Sequence, residues 1–454
     1  MLKRFLIVVT LILLCLPTDG KAQGFALPAG KKSEKVKFQL INNLIVIPLE
    51  LNGSKLSFIL DSGVGKPILF NLTDQDSIQI NNVREIDIKG LGGGDPIKAL
   101  SSVGNLFQLG AVENPDQELY VVIDKDMNFS PSLGIPVHGI IGYDLFRDFV
   151  VEVNYARRVI YFHDPAVYRY RKDKRSETHP LAIVRRKAYL DGEVFVNGNE
   201  SIPVKLMLDS GSSDAIWLFE NEDIGIPAKN YHDFLGKGLS GNIFGKRTMV
   251  NGLKIGSFIL KDAKAAFPDR ASYNDFKYLG DRNGSMGGEL LKRFNIVFDY
   301  PNKKITLRKN NNFDAPFQYN MSGIELQHDG LRYISESISD RRGVVRSDRR
   351  GSLKQDEESF GNVQILFENR TRLSLVPEII VSAIRAGSPA ETAGLKQGDI
   401  ILAVNGKSVH TYKLQEILHL LNEKEGKKIR VLIERYNSDL LFTYVLKNMF
   451  KEKP

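Results

Sequence analysis

The stretch Leu49-Glu-Leu-Asn-Gly-Ser-Lys-Leu-Ser-Phe-Ile-Leu-Asp61-Ser-Gly63 decides the fold, because it occurs twice. It returns as Val194-Phe-Val-Asn-Gly-Asn-Glu-Ser-Ile-Pro-Val-Lys-Leu-Met-Leu-Asp209-Ser-Gly211. Each copy reads as a strand, an Asn-Gly hairpin turn, and a second apolar strand running straight into Asp-Ser-Gly. A second block repeats further on. Ile140-Ile-Gly142-Tyr-Asp-Leu-Phe-Arg-Asp-Phe149 matches Ser285-Met-Gly287-Gly-Glu-Leu-Leu-Lys-Arg-Phe294, and in both a glycine opens a short helix that leads into a strand.

Asp61 precedes Gly142 by 81 residues and Asp209 precedes Gly287 by 78. Two unrelated motifs in one order at nearly one spacing mark a duplicated β-rich unit. The expected lobes are residues 36–163 and 180–309, joined by a polar linker over 164–179 that contains Arg169, Arg171, Lys172, Lys174 and Arg175.

A carboxylate at the end of an apolar strand loses hydration and needs a compensating role. One Asp-Ser-Gly alone is an ordinary surface turn, with Asp and Ser bonding nearby amides and Gly supplying the bend. Two copies inside a duplication point elsewhere. If the units pack about a pseudo-twofold axis, the loops meet and Asp61 stands beside Asp209. Carboxyls about 3 Å apart share one proton, and the apparent pKa values belong to the pair. The ionised member can draw a proton from a water while the protonated member polarises an amide carbonyl. Such a reaction uses no cofactor and no metal. Gly63 and Gly211 permit close approach of the chain, and the hydroxyls of Ser62 and Ser210 can bond across the axis.

At these residues the chain resembles the retropepsin-like and pepsin-like aspartic proteases, whose mark is Asp-Thr/Ser-Gly-Ser/Thr/Ala followed later in each lobe by two apolar residues and Gly. Asp209-Ser210-Gly211-Ser212-Ser213 fits, although Ser285-Met286-Gly287 is polar at its first position; Ile140-Ile141-Gly142 fits fully. Lobe one departs at Val64, where the family usually has a small or hydroxyl residue supporting the carboxylate. The resemblance covers residues 36–309. It implies a mainly β, two-lobed pseudo-twofold fold, catalytic Asp61 and Asp209, support from Ser62, Gly63, Gly142, Ser210, Gly211, Ser212 and Gly287, and polypeptide substrates in a cleft between the lobes.

The same resemblance implies a mobile cover of glycine-rich hairpins. Gly90, Gly92, Gly93 and Gly94 follow Asp61, and Gly236, Gly238 and Gly241 follow Asp209. The second run also spells Gly-x-Gly-x-x-Gly, but the residues after it read as a strand, whereas a phosphate site needs a helix there.

Residues 387–406 read as a capped short helix from Ser388, a stop at Gly394, a turn at Gly398-Asp399, an apolar strand and an Asn405-Gly406 hairpin. An amphipathic helix over Tyr412 to Leu421 follows, with Leu414, Ile417, Leu418 and Leu421 on one face. This region resembles bacterial PDZ domains, implying an α+β domain over 321–448. By analogy Ser322, Gly323 and Ile324, with Leu414 and Leu418, would receive the C-terminus of a peptide partner as an added strand. A charged insertion around 327–375, with a disordered stretch from Ser339 to Glu358, is expected between the first strand and the rest.

Lys3 and Arg4 before the apolar run Phe5 to Leu16, with Ala22 at the exit, describe an export signal over 1–22. The mature chain is expected outside the cytoplasm, in the periplasm, cell envelope or medium, with no membrane span and, after loss of Cys15, no cysteine. Composition narrows the rest. A single Cys in 454 residues excludes a disulfide framework. The charge of +8 is spread among acidic residues rather than gathered in a stripe, which argues against nucleic acid. Seven scattered histidines form no metal motif. The expectation is an exported monomeric aspartic endopeptidase with a PDZ domain; its rival is a peptide-binding protein that keeps the fold without cutting.

Overall fold

The computed structural model describes residues 24–72, 78–124, 127–170, 173–198, 200–273, 281–339, 344–347, 363–366 and 369–450. The expected signal, residues 1–22, lies outside them. Two compact units form: one is the chain to Tyr319 together with the segment from Asn448, the other is Asn320–Lys447.

In the first unit short apolar runs become strands because turns interrupt them before a helix can propagate. Asn52 and Gly53 both take positive φ, 47° and 88°, and join Leu44–Leu51 to Ser54–Leu60 as the Asn-Gly pair predicts. Lobe one is an eight-stranded sheet in the spatial order Gln39–Ile41, Leu44–Leu51, Ser54–Leu60, Gly139–Ile141, Ile68–Leu69, Val112–Val122, Ile97–Leu109, Arg84–Ile88. Lobe two repeats that order with Ala182–Val184, Lys187–Phe195, Ile202–Asp209, Gly284–Gly287, Ile216–Leu218, Phe258–Pro268, Gly241–Ile255 and Asn230–Gly238. The duplication read from two short blocks thus extends through every strand of the lobe sheets.

A six-stranded sheet joins the lobes, and its central pair, Val150–Asn154 and Phe294–Asp299, contributes one strand from each copy. Phe146 stacks on Tyr300 and meets Phe298 edge-on, both at 5.1 Å, so a single apolar core runs through both lobes. Burying each such aromatic stabilises the junction by about 1.5–3 kcal/mol.

Two segments differ from their sequence reading. The linker over 164–179 ends in a strand, Ser176–Pro180, paired with Lys304–Lys309 at the edge of the joining sheet. Ser-Glu-Thr-His-Pro carries no apolar alternation because an edge strand keeps much of its surface in water. The segment expected as an insertion around 327–375 starts and ends as a ribbon: Ile324–Ser339 and Asn369–Ile384 pair from Ile324↔Ile384 to Ser339↔Asn369, with irregularities at Glu325/Leu326 and His328/Leu331. Val344–Ser347 pairs with Val363–Leu366, while 340–343 and 348–358 of the stretch expected to be disordered lie outside the described residues.

The second unit is a mixed domain whose five-strand path runs Ile324–Ser339, Asn369–Ile384, Ile400–Val404, Lys428–Arg435, Ser438–Val445. Its helix Leu414–Leu420 buries Leu414 and Ile417 in a core with Ile324, Val381, Ile401 and Val431. No helix among the described residues is long and apolar enough to cross a membrane.

Candidate active site

Each aspartate sits where a strand ends against a parallel neighbour. Ser54–Leu60 runs parallel to Gly139–Ile141, and Asp61 donates its amide to Ile141 O at 2.8 Å. Ile202–Asp209 runs parallel to Gly284–Gly287, with Asp209 opposite Gly287. Close approach explains the glycines that open the following helices: a Cβ on Gly142 would overlap the Asp61 carbonyl, and one on Gly287 the Asp214 carbonyl.

The two loops are locked across the axis by four reciprocal hydrogen bonds. The Ser62 amide donates to Ser210 Oγ at 2.9 Å and the Ser210 amide to Ser62 Oγ at 3.0 Å. The Ser62 hydroxyl donates to Leu208 O at 2.9 Å and the Ser210 hydroxyl to Leu60 O at 2.8 Å. Both serines are fully or almost fully buried, so every one of these bonds is shielded from water.

The grip brings the carboxyls together. The Gly63 amide donates to Asp61 Oδ1 at 2.6 Å. The place a Gly63 Cβ would occupy lies 3.1 Å from Asp61 Oδ1 and 3.3 Å from Asp209 Oδ1, and a Cβ on Gly211 would overlap the Asp61 carboxyl. Burial, then the charge of Asp209, pushes Asp61 from the usual 3.8 up to about 7, against opposing hydrogen bonds from the Gly63 and Gly211 amides. Asp209 is also raised by burial, but Arg282 and Lys187 pull it down, as do the amides of Gly211 and Ser212. Burial thus raises both carboxyls, the apparent values belong to the pair, and Arg282 acts on the Asp209 side of it.

The two cations were not foreseen. Arg282 is buried and Lys187 half-buried. For Lys187 the signal lies upstream of the repeated blocks: the turn Arg185-Arg186, with φ of 48° and 64°, is the copy of Asn42-Asn43, with φ of 46° and 67°. Asn43 Nδ2 donates to Ser213 O at 2.8 Å in the opposite loop, and Arg186 Nη1 donates to Gly65 O at 3.3 Å. Asn-Asn and Arg-Arg share backbone geometry and no side-chain chemistry, which hid the match.

Other buried charges nearby are neutralised in place. Asp144 accepts from Gln117 Nε2 at 2.9 Å and pairs with Arg147 at 3.1 Å; Glu289, its counterpart after Gly287, pairs with Lys264 at 2.5 Å. Asp214 pairs with Arg247 at 2.6 Å and accepts from Trp217 Nε1 at 2.8 Å.

The two glycine-rich hairpins meet each other. The Gly90 amide donates to Ser240 Oγ at 3.0 Å, Gly94 to Ser240 O at 2.9 Å, Ser240 to Leu91 O at 2.9 Å, and Gly92 to Ser272 O at 3.4 Å. Gly93 packs against Ala271, and a side chain there would overlap its carbonyl. Gly238 pairs with Gly241 across the Leu239-Ser240 turn, while Gly236 lies back in the strand at a register shift. The tips cross over. Leu91 packs against lobe-two residues Trp217, Leu235, Ile243 and Ala266, and Leu239 packs against the lobe-one cluster containing Leu44, Phe70 and Val137.

In the second unit Ile324 opens an edge strand, and the helix bearing Leu414 and half-buried Leu418 packs beside that strand. The amides of Met321 and Ser322 donate to Asn422 Oδ1 at 2.7 and 3.2 Å, and that of Gly323 to Asn320 Oδ1 at 2.8 Å. A peptide carboxylate seeking the Ser322 and Gly323 amides has to displace those side chains. Ser388 caps its helix by accepting from the Glu391 amide at 3.2 Å, as expected. Asp399 is held by Arg435 at 2.6 and 2.7 Å, a pairing the sequence did not announce.

Comparison with known proteins agrees at the level of domains. Residues 47–145 match the aspartyl protease family model and residues 380–435 a PDZ domain model. An aspartic proteinase from Irpex lacteus superposes at TM-score 0.39 and 12% identity, covering 62% of this chain and 98% of that one. The carboxy-terminal processing protease CtpA of Bacillus subtilis (strain 168) is 46% identical over 57 residues, 13% of this chain and 12% of that protein. A probable CtpA-like serine protease of Staphylococcus aureus (strain COL) is 36% identical over 58 residues, with the same coverage. These short matches fall in the PDZ region, and the chain spans about an eighth of the length of those curated relatives. The chain is thus a mainly β protein that carries an aspartyl protease domain followed by a C-terminal PDZ domain.

Proposed function

We propose that this protein is an exported aspartic endopeptidase, active as a monomer, in which Asp61 and Asp209 activate one water against a peptide bond. Asp209, ionised, removes a proton from the water as its oxygen attacks the carbonyl carbon. Asp61, protonated, donates a hydrogen bond to the carbonyl oxygen and then its proton, giving a neutral diol. Collapse returns one hydroxyl proton to Asp61, breaks the C–N bond, and passes the proton held by Asp209 to the leaving nitrogen, which restores the starting dyad. Gly142 and Gly287 let each loop pack on its neighbour, and the Gly90–Gly94 and Gly236–Gly241 hairpins part to admit an extended chain and close on it. The PDZ domain takes peptide C-termini by strand addition along Ile324, with Leu418 in the pocket wall.

The observation that supports this reading is the reciprocal Ser62–Ser210 lock, in which two buried hydroxyls hold two half-buried carboxyls together. A non-catalytic peptide binder is the second reading, favoured by Val64, which provides no hydroxyl to the Asp61 carboxyl. The test is mass-spectrometric mapping of cleavage in a diverse peptide mixture by wild type, D61N and D209N, with and without a pepstatin-type inhibitor. Endopeptidase reading requires cleavage by wild type alone, blocked by the inhibitor. Equal cleavage by the variants overturns it, and tight inhibitor binding without any cleavage favours the binder.

A further inference from the structure

Ladder register fixes which residues of the two lobes correspond. Val46 pairs with Ile59, two residues before Asp61, and Tyr189 pairs with Met207, two residues before Asp209; Leu44 therefore corresponds to Lys187. Gly139 pairs with Phe58 and Gly284 with Leu206, three residues before each aspartate, so Val137 corresponds to Arg282. Leu44 and Val137 belong to one buried apolar cluster, 7% and 0% exposed, against which the flap residue Leu239 packs. At the two matching places lobe two has cations.

The pair is built into the site. Arg282 is 8% exposed, its Nε donates to Gly284 O at 2.9 Å, and its guanidinium lies 5.2 Å from the Phe219 ring centre. Lys187 opens the strand Lys187–Phe195, and its ammonium has no hydrogen-bond or ion-pair partner among the described residues. Burial, then the charge of Arg282, holds that ammonium below its usual range, and the aspartates of the dyad are the carboxylates that act on it. For Arg282 the acting carboxylate is Asp209.

Charge counting then decides. A dyad that shares one proton carries a single negative charge, while Lys187 and Arg282 carry two positive ones. One positive charge is left over among groups that are half-buried or, for Arg282, buried, where an uncompensated charge is disfavoured. We propose that Lys187 and Arg282 form an anion subsite in lobe two that selects a substrate carboxylate next to the scissile bond, while lobe one receives an apolar side chain on the other side. The carboxylate is that of an Asp or Glu side chain or of a free chain end. A planar guanidinium beside a lysine suits a carboxylate through paired charge-assisted hydrogen bonds. This inference rests on the peptidase reading for its substrate, but the subsite can be tested apart from it.

The test is a peptide set with Glu, Gln or Leu on either side of the scissile bond, each with free and amidated C-termini, read as kcat/KM. At one of the two positions wild type should prefer Glu to Gln by about tenfold or more, equivalent to about 1.4 kcal/mol. That ratio should fall to about one in K187L and R282V, which install the lobe-one residues, and persist in part in R282K. An effect of amidation larger than that of Glu→Gln assigns the subsite to a chain end instead of a side chain. A wild-type ratio near one in every arm, or a preference unchanged in both charge-removing variants, overturns the proposal. The same ratio is read in binding, using uncleavable statine peptides bearing Glu or Gln. Tighter binding of the Glu peptide without cleavage of any peptide keeps the subsite and removes the peptidase reading; cleavage without Glu selectivity does the reverse.

Discussion

Ser62 and Ser210 each accept the other's amide proton, at 3.0 and 2.9 Å, through hydroxyls that in turn donate to the carbonyl of the residue before the opposite aspartate. Replacing either serine with alanine leaves one buried amide and one buried carbonyl without partners. Each single variant should lose about 1–3 kcal/mol of stability in urea unfolding. The double variant should lose less than the sum, since the two serines act in one network. Full additivity would mean the lock is not cooperative.

Asp61 gives a pH dependence whose sign is fixed by its shift. Its carboxyl holds a proton in the folded protein up to about 7 and in the unfolded chain only to about 3.8. Between those values folding takes up a proton, so stability falls as pH rises from about 4 to about 7. D61N, shaped like the protonated acid, should remove that slope and at pH 7.5 be at least as stable as wild type. Urea titrations at pH 5 and 7.5 read both, and an unchanged slope in D61N contradicts the assignment.

Val64 stands where lobe two has Ser212, and its amide donates to Asp61 O at 3.3 Å while its side chain carries no donor. V64T keeps the shape and adds a hydroxyl that can donate to the ionised Asp61 carboxylate. Such a bond favours the charged form. The alkaline limb of the pH–kcat/KM profile should therefore move to lower pH in V64T. A limb that stays in place, or moves up, shows that this position does not reach the carboxyl.

Leu239 and Leu91 hold the crossed hairpins by packing on the opposite lobe. Truncating Leu239 to alanine removes apolar contact worth roughly 1–3 kcal/mol and should raise hydrogen-exchange rates at Gly90, Gly94 and Ser240 by about tenfold or more. The amides of the joining sheet, Val150–Asn154 with Phe294–Asp299, should be unaffected. Uniform exchange changes across the unit would mean that the hairpins do not open as a local element.

Much of the fold and the candidate site is legible in the sequence because two blocks survived duplication with their chemistry intact. Asp61-Ser-Gly and Asp209-Ser-Gly were constrained by the same buried geometry, and the glycines by the same close approach. Lys187 and Arg282 escaped notice because their partners are Leu44 and Val137: position was retained while side-chain chemistry diverged. The interlocked hairpins also escaped, since Leu91 and Ser240 lie in separate copies and neither loop announces its contact with the other. Ser176–Pro180 is a strand by virtue of a partner far along the chain, Lys304–Lys309, and not by apolar alternation of its own. That the segment around 327–375 begins and ends as a long ribbon, Ile324–Ser339 with Asn369–Ile384, was not legible because its exposed surface mixes charge with Leu331, Tyr333, Leu373 and Leu375.

The shared proton can be observed directly by carbon-13 NMR of labelled aspartate carboxyls titrated from pH 3 to 9, with D61N and D209N identifying the two signals. Asp61 should keep its proton to about 7, Asp209 should ionise at lower pH, and D209N should lower the Asp61 midpoint by removing the neighbouring charge. Two carboxyls titrating independently near 3.8, each indifferent to loss of the other, would contradict the dyad and the hydrolytic chemistry built on it.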